Sequence, residues 1–346
     1  MKIENCDVQE TRHPGRQNDR TTSRPITERE SSLAFPGRRA YGRFGLWLVF
    51  AAVAFLCRPH GHPVGKASPG DESSRKRVRV ITRTEGGATH FLVENLELTE
   101  VTVTFNFDLI NLTGTVEFPY TATFPPRQTT AAFRLAPVEL GKPSHYSFTN
   151  HYLLGSTSAA HDDFYRYNLP YAPGDAFRVT QGYGGIFSHQ GSNRHAIDWR
   201  MPVGTPVHAA RGGLVVKVKD ASDRGGAHVR FDCDNNYVLV RHDDGTLGQY
   251  CHLKHGGAQV REGEVIEEGG LLALSGNTGF SSGPHLHFAV YKCRNGKERE
   301  SIPVKFRTTE TPALTLKTGR RYTAATPLPE RVSHGSVKQQ RVNSRL

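Results

Sequence analysis

Residues 101–109 read Val-Thr-Val-Thr-Phe-Asn-Phe-Asp-Leu, with an apolar side chain at every second position. Because successive side chains of a strand point to opposite faces of a sheet, this period of two is typical of a half-buried antiparallel strand with one polar face. Similar short apolar runs, separated by Gly and Pro, occur at residues 78–81, 90–93, 131–135 and 146–148. Several short strands at this spacing predict a β-sandwich-like module over residues 78–160.

The chain from residue 170 to residue 325 also predicts strands, but its composition differs. Its apolar runs are punctuated by glycine, as in Gly212-Gly213-Leu214-Val215-Val216, and helical periodicity is nearly absent. Turn sequences such as Gly276-Asn277-Thr278-Gly279 separate the runs. We therefore expect a second, Gly-rich antiparallel β domain, and the predicted fold class of the whole chain is all-β.

Three further segments have the composition of non-globular chain. Residues 1–43 are rich in Arg, Ser, Thr and Pro and predict a disordered basic leader. Residues 58–77 are rich in Pro, Gly, Ser and charge and predict a linker. Residues 326–346 predict a disordered tail.

Residues 44–57 read FGLWLVFAAVAFLC and are flanked by arginine on both sides. The run is shorter than the roughly 20 apolar residues of a spanning helix and is typical of the h-region of a signal peptide. The long polar stretch before it leaves an uncleaved membrane anchor as the alternative, and the flanking charge disfavours a buried core helix. Both targeting interpretations predict export to the periplasm or cell envelope, with the second adding attachment to the inner membrane.

The formal net charge is +11 and the sequence pI is about 9.5, which predicts attraction to an anionic polymer or surface. No zinc knuckle, helix-turn-helix pattern or aromatic-rich RNA-binding signature accompanies this charge. We therefore expect no nucleic-acid partner and favour the anionic bacterial envelope. The sequence gives no indication of oligomeric state.

The cysteines are Cys6, Cys57, Cys233, Cys251 and Cys293, and no two of them form a CxxC pair. This spacing argues against a structural zinc site made of thiolates. In an exported protein one disulfide among the last three is compatible with the sequence, with buried thiols as the alternative.

Two distant pieces of sequence carry the side chains of a zinc hydrolase. One is His189-Gln190-Gly191 leading to Ile197-Asp198, and the other is Gly283-Pro284-His285-Leu286-His287-Phe288. A catalytic zinc takes three ligands from His and Asp or Glu and leaves a fourth position for water. Asp198 and one imidazole from each piece would complete such a site. His285 and His287, two apart on a strand, face one cleft, so one can bind metal while the other handles protons.

Four linked motifs across roughly residues 178–292 resemble the lysostaphin and LytM family of zinc endopeptidases. They are Asp198 to Ala210 with Gly212-Gly213, Tyr250 to Leu253, Gly276 to Gly279 and Gly283 to Phe288. Enzymes of this family cut peptide cross-bridges or stem peptides of bacterial peptidoglycan. The resemblance implies a LytM-type zinc metallopeptidase domain over residues 170–325, with Zn2+ as cofactor and peptidoglycan as substrate. It places Asp198 and His287 on zinc and His285 and His252 in the catalytic shell.

The first zinc ligand departs from the family pattern, which is His-x-x-x-Asp. The residue four before Asp198 is Arg194, whose guanidinium has no lone pair to donate. His195 lies three residues before Asp198, and on a regular strand this odd offset points to the opposite face. His189 keeps the His-x-Gly of the motif and is followed by an apparent insertion, so we prefer it. Tyr183 is expected to add a hydrogen bond at the site.

The sequence leaves two alternatives to the peptidase open. One is a catalytically inactive wall-binding protein or amidase activator, although such relatives typically lose the ligands kept here. The other is a zinc enzyme directed at polysaccharide. His208, His228, His242 and His255 match no ligand position and are expected to be structural or on the surface.

Overall fold

The computed structural model describes residues 11–17, as backbone, and residues 76–326. The regular elements of these residues are strands apart from two 3-10 turns, Gly191–Asn193 and Val229–Asp234. The all-β fold class is therefore confirmed. The described residues contain no helix that is long and apolar enough to span a bilayer. The predicted signal or anchor at 44–57 and nearly all of the predicted linker and tail lie outside them.

The first module is a sandwich of two four-stranded antiparallel sheets. Its strands are β1 (Thr11–Gln17), β2 (Val78–Glu85), β3 (Ala88–Asn95), β4 (Val101–Ile110), β5 (Leu112–Gly114), β6 (Tyr120–Phe124), β7 (Gln128–Pro137) and β8 (Ser144–Leu154). One sheet has the order β1-β8-β4-β6 and the other the order β2-β3-β7-β5. Apart from β1, the strands run from Val78 to Leu154, inside the predicted boundaries of 78–160.

Aromatic rings fill the space between the two sheets. Phe91 is fully buried, and its ring stacks on Phe133 with centroids 4.8 Å apart. The rings of Phe107 and Phe148 approach Phe91 edge-on, at 5.1 and 5.5 Å between centroids. These contacts join β3 and β7 of one sheet to β4 and β8 of the other, so the ring cluster holds the sandwich together.

Two features of the sandwich differ from the sequence prediction. Strand β1 lies inside the stretch 1–43 that composition assigns to a disordered leader, and its backbone pairs with β8. This pairing covers an edge that β8 would otherwise expose. On β4 the predicted polar face is buried at Thr102 and Thr104. The amide of Gly296, from the second domain, donates to Thr104 Oγ1 at 2.8 Å, so a loop covers this face.

The second domain is built on one long sheet. Its strands are β9 (Arg166–Tyr167), β10 (Ala176–Gln181), β11 (Ile197–Arg200), β12 (Pro206–His208), β13 (Gly213–Lys219), β14 (Gly225–Gly226), β15 (Tyr237–Arg241), β16 (Leu247–Cys251), β17 (Leu253–Ala258), β18 (Val265–Ile266), β19 (Leu271–Ser275), β20 (Gly279–Phe280), β21 (His285–Cys293), β22 (Arg299–Ser301), β23 (Lys305–Phe306) and β24 (Arg321–Thr323). The long sheet has the order β18-β13-β15-β16-β21-β11-β10-β24, with β22 beside β21. Strand β9 pairs with β23, so the domain begins slightly before residue 170.

The two faces of the long sheet have different neighbours. Trp199, Leu286 and Phe288 are buried on one face, in the core of the second domain. On the other face a smaller cluster that includes Leu239 and Leu247 packs against side chains of the first module. Period-two alternation along β21 therefore separates the domain core from the face that carries His285 and His287.

The sandwich is joined to the long sheet by contacts of several kinds. Arg241 on β15 forms a two-pronged ion pair with Glu100, at 2.8 and 2.7 Å. Arg77 pairs with Glu262 at 2.8 Å. The thiol of Cys293 donates to the carbonyl of Leu154 at 3.2 Å. These contacts lie around the apolar cluster described above and orient the module on the sheet.

The cysteines do not form the disulfide that the sequence left open among the last three. Cys251 and Cys293 are buried thiols, and Cys233 is disulfide-bonded. No two of these three residues are therefore joined. Cys293 is held at the junction between the modules, where burial raises the pKa of its thiol to about 11.

Replacing Phe91 with Ala should destabilise the sandwich by about 3–5 kcal/mol, because the ring is fully buried among aromatic partners. Phe164→Ala provides the matched control, since Phe164 is exposed and its loss should change stability by about 0.5 kcal/mol or less. Urea unfolding followed by fluorescence measures both. Equal effects of the two substitutions would contradict the proposed core.

Candidate metal centre

His189 lies at the end of a tight loop that leads from β10 to the 3-10 turn before β11. Its imidazole is fully buried, and Nδ1 donates to the carbonyl of Gly182 at 2.9 Å. The loop is compact because Gly185 lies against Gln181, where a Cβ would come within 2.2 Å of the Gln181 side chain. Gly191 has φ +57 and starts the 3-10 turn. The insertion therefore folds back and returns His189 to the sheet.

Asp198 and His287 lie opposite each other on β11 and β21. His287 Nδ1 is 2.8 Å from Asp198 Oδ1, and His189 Nε2 is 3.1 Å from the same oxygen. Trp199 and Leu286 are the next opposed pair and are buried in the core. Because side chains alternate along both strands, burying this apolar pair turns Asp198 and His287 to the other face.

These three side chains suit a metal ion. Their ligand atoms lie within 4.8 Å of one another, and all three residues are buried. His189 Nε2 makes no hydrogen bond within the described part of the chain, although it is buried. A buried imidazole nitrogen without a hydrogen bond is costly unless a ligand completes it. Two imidazoles and one carboxylate with an open side match the donor set of a catalytic zinc.

His195, the alternative first ligand, is turned elsewhere. Its Nδ1 lies 2.7 Å from the carbonyl of Ser301, and its amide donates to the Ser301 hydroxyl at 2.8 Å. The ring packs edge-on against Tyr183. Tyr183 also departs from its expected role, because its hydroxyl bonds both backbone groups of Val304, at 2.7 and 2.8 Å. Both residues therefore stabilise the loop through hydrogen bonds to Ser301 and Val304.

His285 and His252 stand beside the centre with their ring centroids 4.4 Å apart. The Nδ1 atom of His285 lies 2.8 Å from Gly283 O, and that of His252 lies 2.7 Å from Thr278 O. A carbonyl only accepts hydrogen bonds, so each Nδ1 carries the proton and each Nε2 keeps its lone pair. His252 has φ 60, a strained conformation of the kind found at functional sites.

The centre stabilises a negative carboxylate. Burial would raise the pKa of Asp198, but the neighbouring imidazoles of His285, His189 and His287 outweigh it and hold the pKa well below its usual value. Burial lowers the pKa of His252 and of His287. For His189 burial acts in the same direction, but the contact with Asp198 prevails and the pKa is raised. The carboxylate therefore stays charged and available to a cation.

An open groove leads to these side chains. It encloses a cavity of about 760 Å³, a size typical of ligand sites. Phe187 and Phe280 stack on its rim with centroids 5.7 Å apart. The described residues that line the groove all fall between Thr180 and Thr318, so none belongs to the sandwich.

Gln181 holds two parts of the centre together, a role that sequence analysis missed. Its Nε2 donates to Asp198 Oδ2 at 2.9 Å and to the Ser188 hydroxyl at 2.8 Å. Its Oε1 accepts from the amides of Phe187 and Ser188. A β-bulge on β10 brings Gln181 opposite Asp198. The only local signal was Gln181-Gly182-Tyr183 at a strand end, which does not reveal the partners of an amide.

An all-β domain with two imidazoles and a carboxylate converging in an open groove is the architecture of a metal-dependent hydrolase. Residues 192–301 match the family model described as Peptidase family M23. The resemblance to the lysostaphin and LytM family is thus confirmed. The match contains Asp198, His252, His285 and His287 and begins three residues after His189.

Several known proteins are similar to this chain. An uncharacterized metalloprotease of Haemophilus influenzae is 36% identical over 140 residues, which are 40% of this chain and 25% of the relative. Peptidoglycan DD-endopeptidase ShyA of Vibrio cholerae is 35% identical over 96 residues, 28% of this chain and 20% of the relative. The chain thus spans a quarter or less of the length of these two relatives. The solved catalytic domain of lysostaphin from Staphylococcus simulans is 24% identical, with a TM-score of 0.27, over 37% of this chain and 87% of that domain.

The four histidines that match no ligand position in the sequence lie outside the centre. His228 and His255 are exposed, and His208 is half-buried. His242 is fully buried, with Nδ1 3.0 Å from the Thr246 hydroxyl. That hydroxyl donates to Asp244, so His242 Nδ1 carries the proton. Burial and the charge of Arg211 lower the pKa of His242 to about 3.

Gln181→Ala should weaken metal binding about 10- to 100-fold, because outer partners of metal ligands contribute this much to affinity. Competition with a chelating dye measures the dissociation constant. Gln128→Ala, at an exposed position on β7, is the control and should bind metal as the wild type does. Unchanged affinity in Gln181→Ala would refute the assigned role of the amide.

His242 should make stability fall in acid. Its folded pKa lies below the unfolded value of about 6.5, so between the two pKa values the unfolded chain binds a proton that the native chain does not. The stability associated with the neutral His242 ring is fully present above pH 6.5 and is lost as the pH falls towards 3. Relative to His242→Asn, the wild type should lose about 1.4 kcal/mol per pH unit from pH 6 to pH 4. Urea unfolding at each pH tests this; His255→Asn is the exposed control, and parallel profiles of wild type and His242→Asn would contradict it.

Proposed function

We propose that this chain is a zinc-dependent endopeptidase that hydrolyses peptide cross-links or stem peptides of bacterial peptidoglycan. The observation that carries the proposal is the convergence of His189, Asp198 and His287 in an open groove, with His285 and His252 beside them. The M23 match over residues 192–301 and the peptidoglycan endopeptidase among the relatives support the substrate class.

In this proposal His189, Asp198 and His287 hold the metal. Zinc, when bound, supplies a Lewis acid that polarises a carbonyl and acidifies water. The carbonyl of Gly182 fixes the His189 ring, and Gln181 fixes the Asp198 carboxylate, so the ligands are oriented before metal arrives. The fully buried His189 limits solvent behind the centre, and the groove leaves the opposite side open to substrate.

His285 and His252 move protons. The Nε2 atom of His285 lies 3.9 Å from Asp198 Oδ1 and bears a lone pair, so we assign it as the acceptor of the proton from attacking water. His252 Nε2 also bears a lone pair while Thr278 O holds its Nδ1 proton. It can donate to the tetrahedral oxyanion of the substrate only after its ring gains a proton. Since both rings are held in the same way, these two roles are exchangeable.

The alternative is a catalytically inactive wall-binding protein or amidase activator. The presence of all five side chains in one place favours the peptidase over this alternative. We also propose that the chain acts in the periplasm or cell envelope, because its apolar run at 44–57 has the composition of a targeting segment. The basic charge suits an anionic wall.

His189→Ala should abolish release of soluble muropeptides from purified sacculi, with a loss of more than about 100-fold, beyond that expected for an outer partner of a ligand. His195→Ala is the matched control and should remain active, because its imidazole is bonded to Ser301. Mass spectrometry identifies the new peptide ends, and elemental analysis measures zinc. A chelator should stop the reaction and added zinc restore it.

Other outcomes would favour the alternatives. A metal-free wild type that binds sacculi without cutting them would indicate a binding module. Glycan fragments in place of new peptide ends would indicate a polysaccharide-directed enzyme. Loss of activity in His195→Ala but not in His189→Ala would reverse the choice of first ligand.

A further inference from the structure

Three arginines on neighbouring strands form a row that begins beside the catalytic groove. Arg200 on β11 lies opposite His285 on β21. Arg178 on β10 lies opposite Arg200, and Arg321 on β24 lies opposite Arg178. We refer to Arg200, Arg178 and Arg321 as the arginine row. The row is not evident in the sequence, because its residues are far apart in the chain and become neighbours only through the strand order of the sheet.

The arginine row is on the same face of the sheet as the metal centre. Opposed residues of antiparallel strands share a face, and the neighbouring pair Val179 and Trp199 is buried on the other face. Arg200 itself lines the groove. With strands about 4.8 Å apart, the row starts one strand from His285 and runs about 10 Å to Arg321.

The row carries positive charge that the described protein does not neutralise. All three arginines are exposed, and none belongs to an ion pair among the described residues. Arg321 donates to the carbonyl of Ala176 at 2.9 Å. Other arginines of the domain do pair with carboxylates, as Arg241 does with Glu100. Like charges directly opposite each other destabilise a sheet, so the row has a cost in the free protein.

We propose that the arginine row binds free carboxylates of the peptide substrate whose scissile bond lies at His285. The inference rests on the proposed function and names the chemistry of the substrate at the same site. Guanidinium groups bind carboxylates through paired hydrogen bonds. An extended peptide advances about 3.3 Å per residue, so the row recognises acidic groups within about five residues of the bond cut.

A peptide is favoured over a nucleic acid because the row is continuous with the groove. A peptide held at His285 already lies at the first arginine, so binding at the row needs no second docking event. The three strands also carry Phe177, Trp199 and Tyr322, but these aromatic rings alternate with the arginines and pack into the core on the other face of the sheet. The face of the row therefore lacks the stacking rings on these strands that accompany basic grooves for single-stranded nucleic acid.

The kinetic test compares a soluble cross-linked muropeptide with the same molecule after its carboxylates have been amidated. For the wild type, amidation should raise KM about fivefold with kcat unchanged, the effect of two exposed charge contacts. The double variant Arg178→Gln, Arg321→Gln should show a similar rise in KM on the free carboxylate substrate. Amidation should then have less than half its wild-type effect, because the partners have already been removed.

A double variant of equal charge provides the control. Arg83→Gln, Arg134→Gln removes two exposed arginines from β2 and β7 of the sandwich. It should keep the wild-type KM and the wild-type effect of amidation. If it raises KM as much as the row variant, the attraction is a property of net charge and the proposal is overturned. The row variant should melt at or above the wild-type Tm, because it removes like charges that lie opposite each other. A lower Tm would indicate that these arginines have a structural role and would overturn the proposal.

A binding measurement separates this inference from the proposed function. Fluorescence anisotropy of a labelled stem peptide, with free or amidated carboxylates, is recorded with the full-length zinc-loaded chain. If the wild type hydrolyses nothing but binds the acidic probe more tightly than the row variant does, the proposed function fails and the row still binds carboxylates. If both proteins bind it equally, the row proposal fails. Tighter, row-dependent binding of a single-stranded oligonucleotide would overturn it in favour of nucleic acid.

Discussion

The pairing of β11 with β21 is the constraint on which the metal centre depends. One face of this pair buries Trp199 and Leu286, and the opposite face carries Asp198 and His287. Shifting the register by one residue would expose the apolar pair and turn the ligands into the core. The hydrophobic energy of the core therefore determines where the polar centre forms. The same register places Arg200 opposite His285, so the reacting end of the groove and the start of the arginine row are fixed together.

Backbone carbonyls and one amide side chain orient the site residues that strand pairing alone does not position. His189, His252 and His285 come from different elements, yet each has Nδ1 bonded to a carbonyl of a neighbouring loop. This common arrangement leaves each Nε2 with a lone pair. Gln181 then links the Asp198 carboxylate to the loop that carries His189. The loops are thus coupled to the sheet before any ion binds, which reduces the entropy lost on binding.

Local patterns predicted the parts of the fold and site that depend on strand periodicity. The all-β class follows from the period of two, and the common face of His285 and His287 follows from their spacing. The parity argument also separated His189 from His195, which the structure turns towards different partners. Relations between distant segments were out of reach. The burial of Thr104 depends on Gly296, and the role of Gln181 depends on a bulge and a loop. Local patterns in a single sequence carry no information about such contacts between distant residues.

The metal centre and the junction with the sandwich lie at different ends of one face of the long sheet. Along β21, His287 faces the metal centre, whereas Cys293 lies at the far end and donates to Leu154 of the sandwich. Six residues of antiparallel strand span about 20 Å, so the junction with the sandwich is well separated from the ligands. Ala289 and Tyr291 fill the interval with buried side chains. Because no described residue of the sandwich lines the groove, this module supports the sheet at a distance, and access to the metal centre is governed by the loops of the second domain.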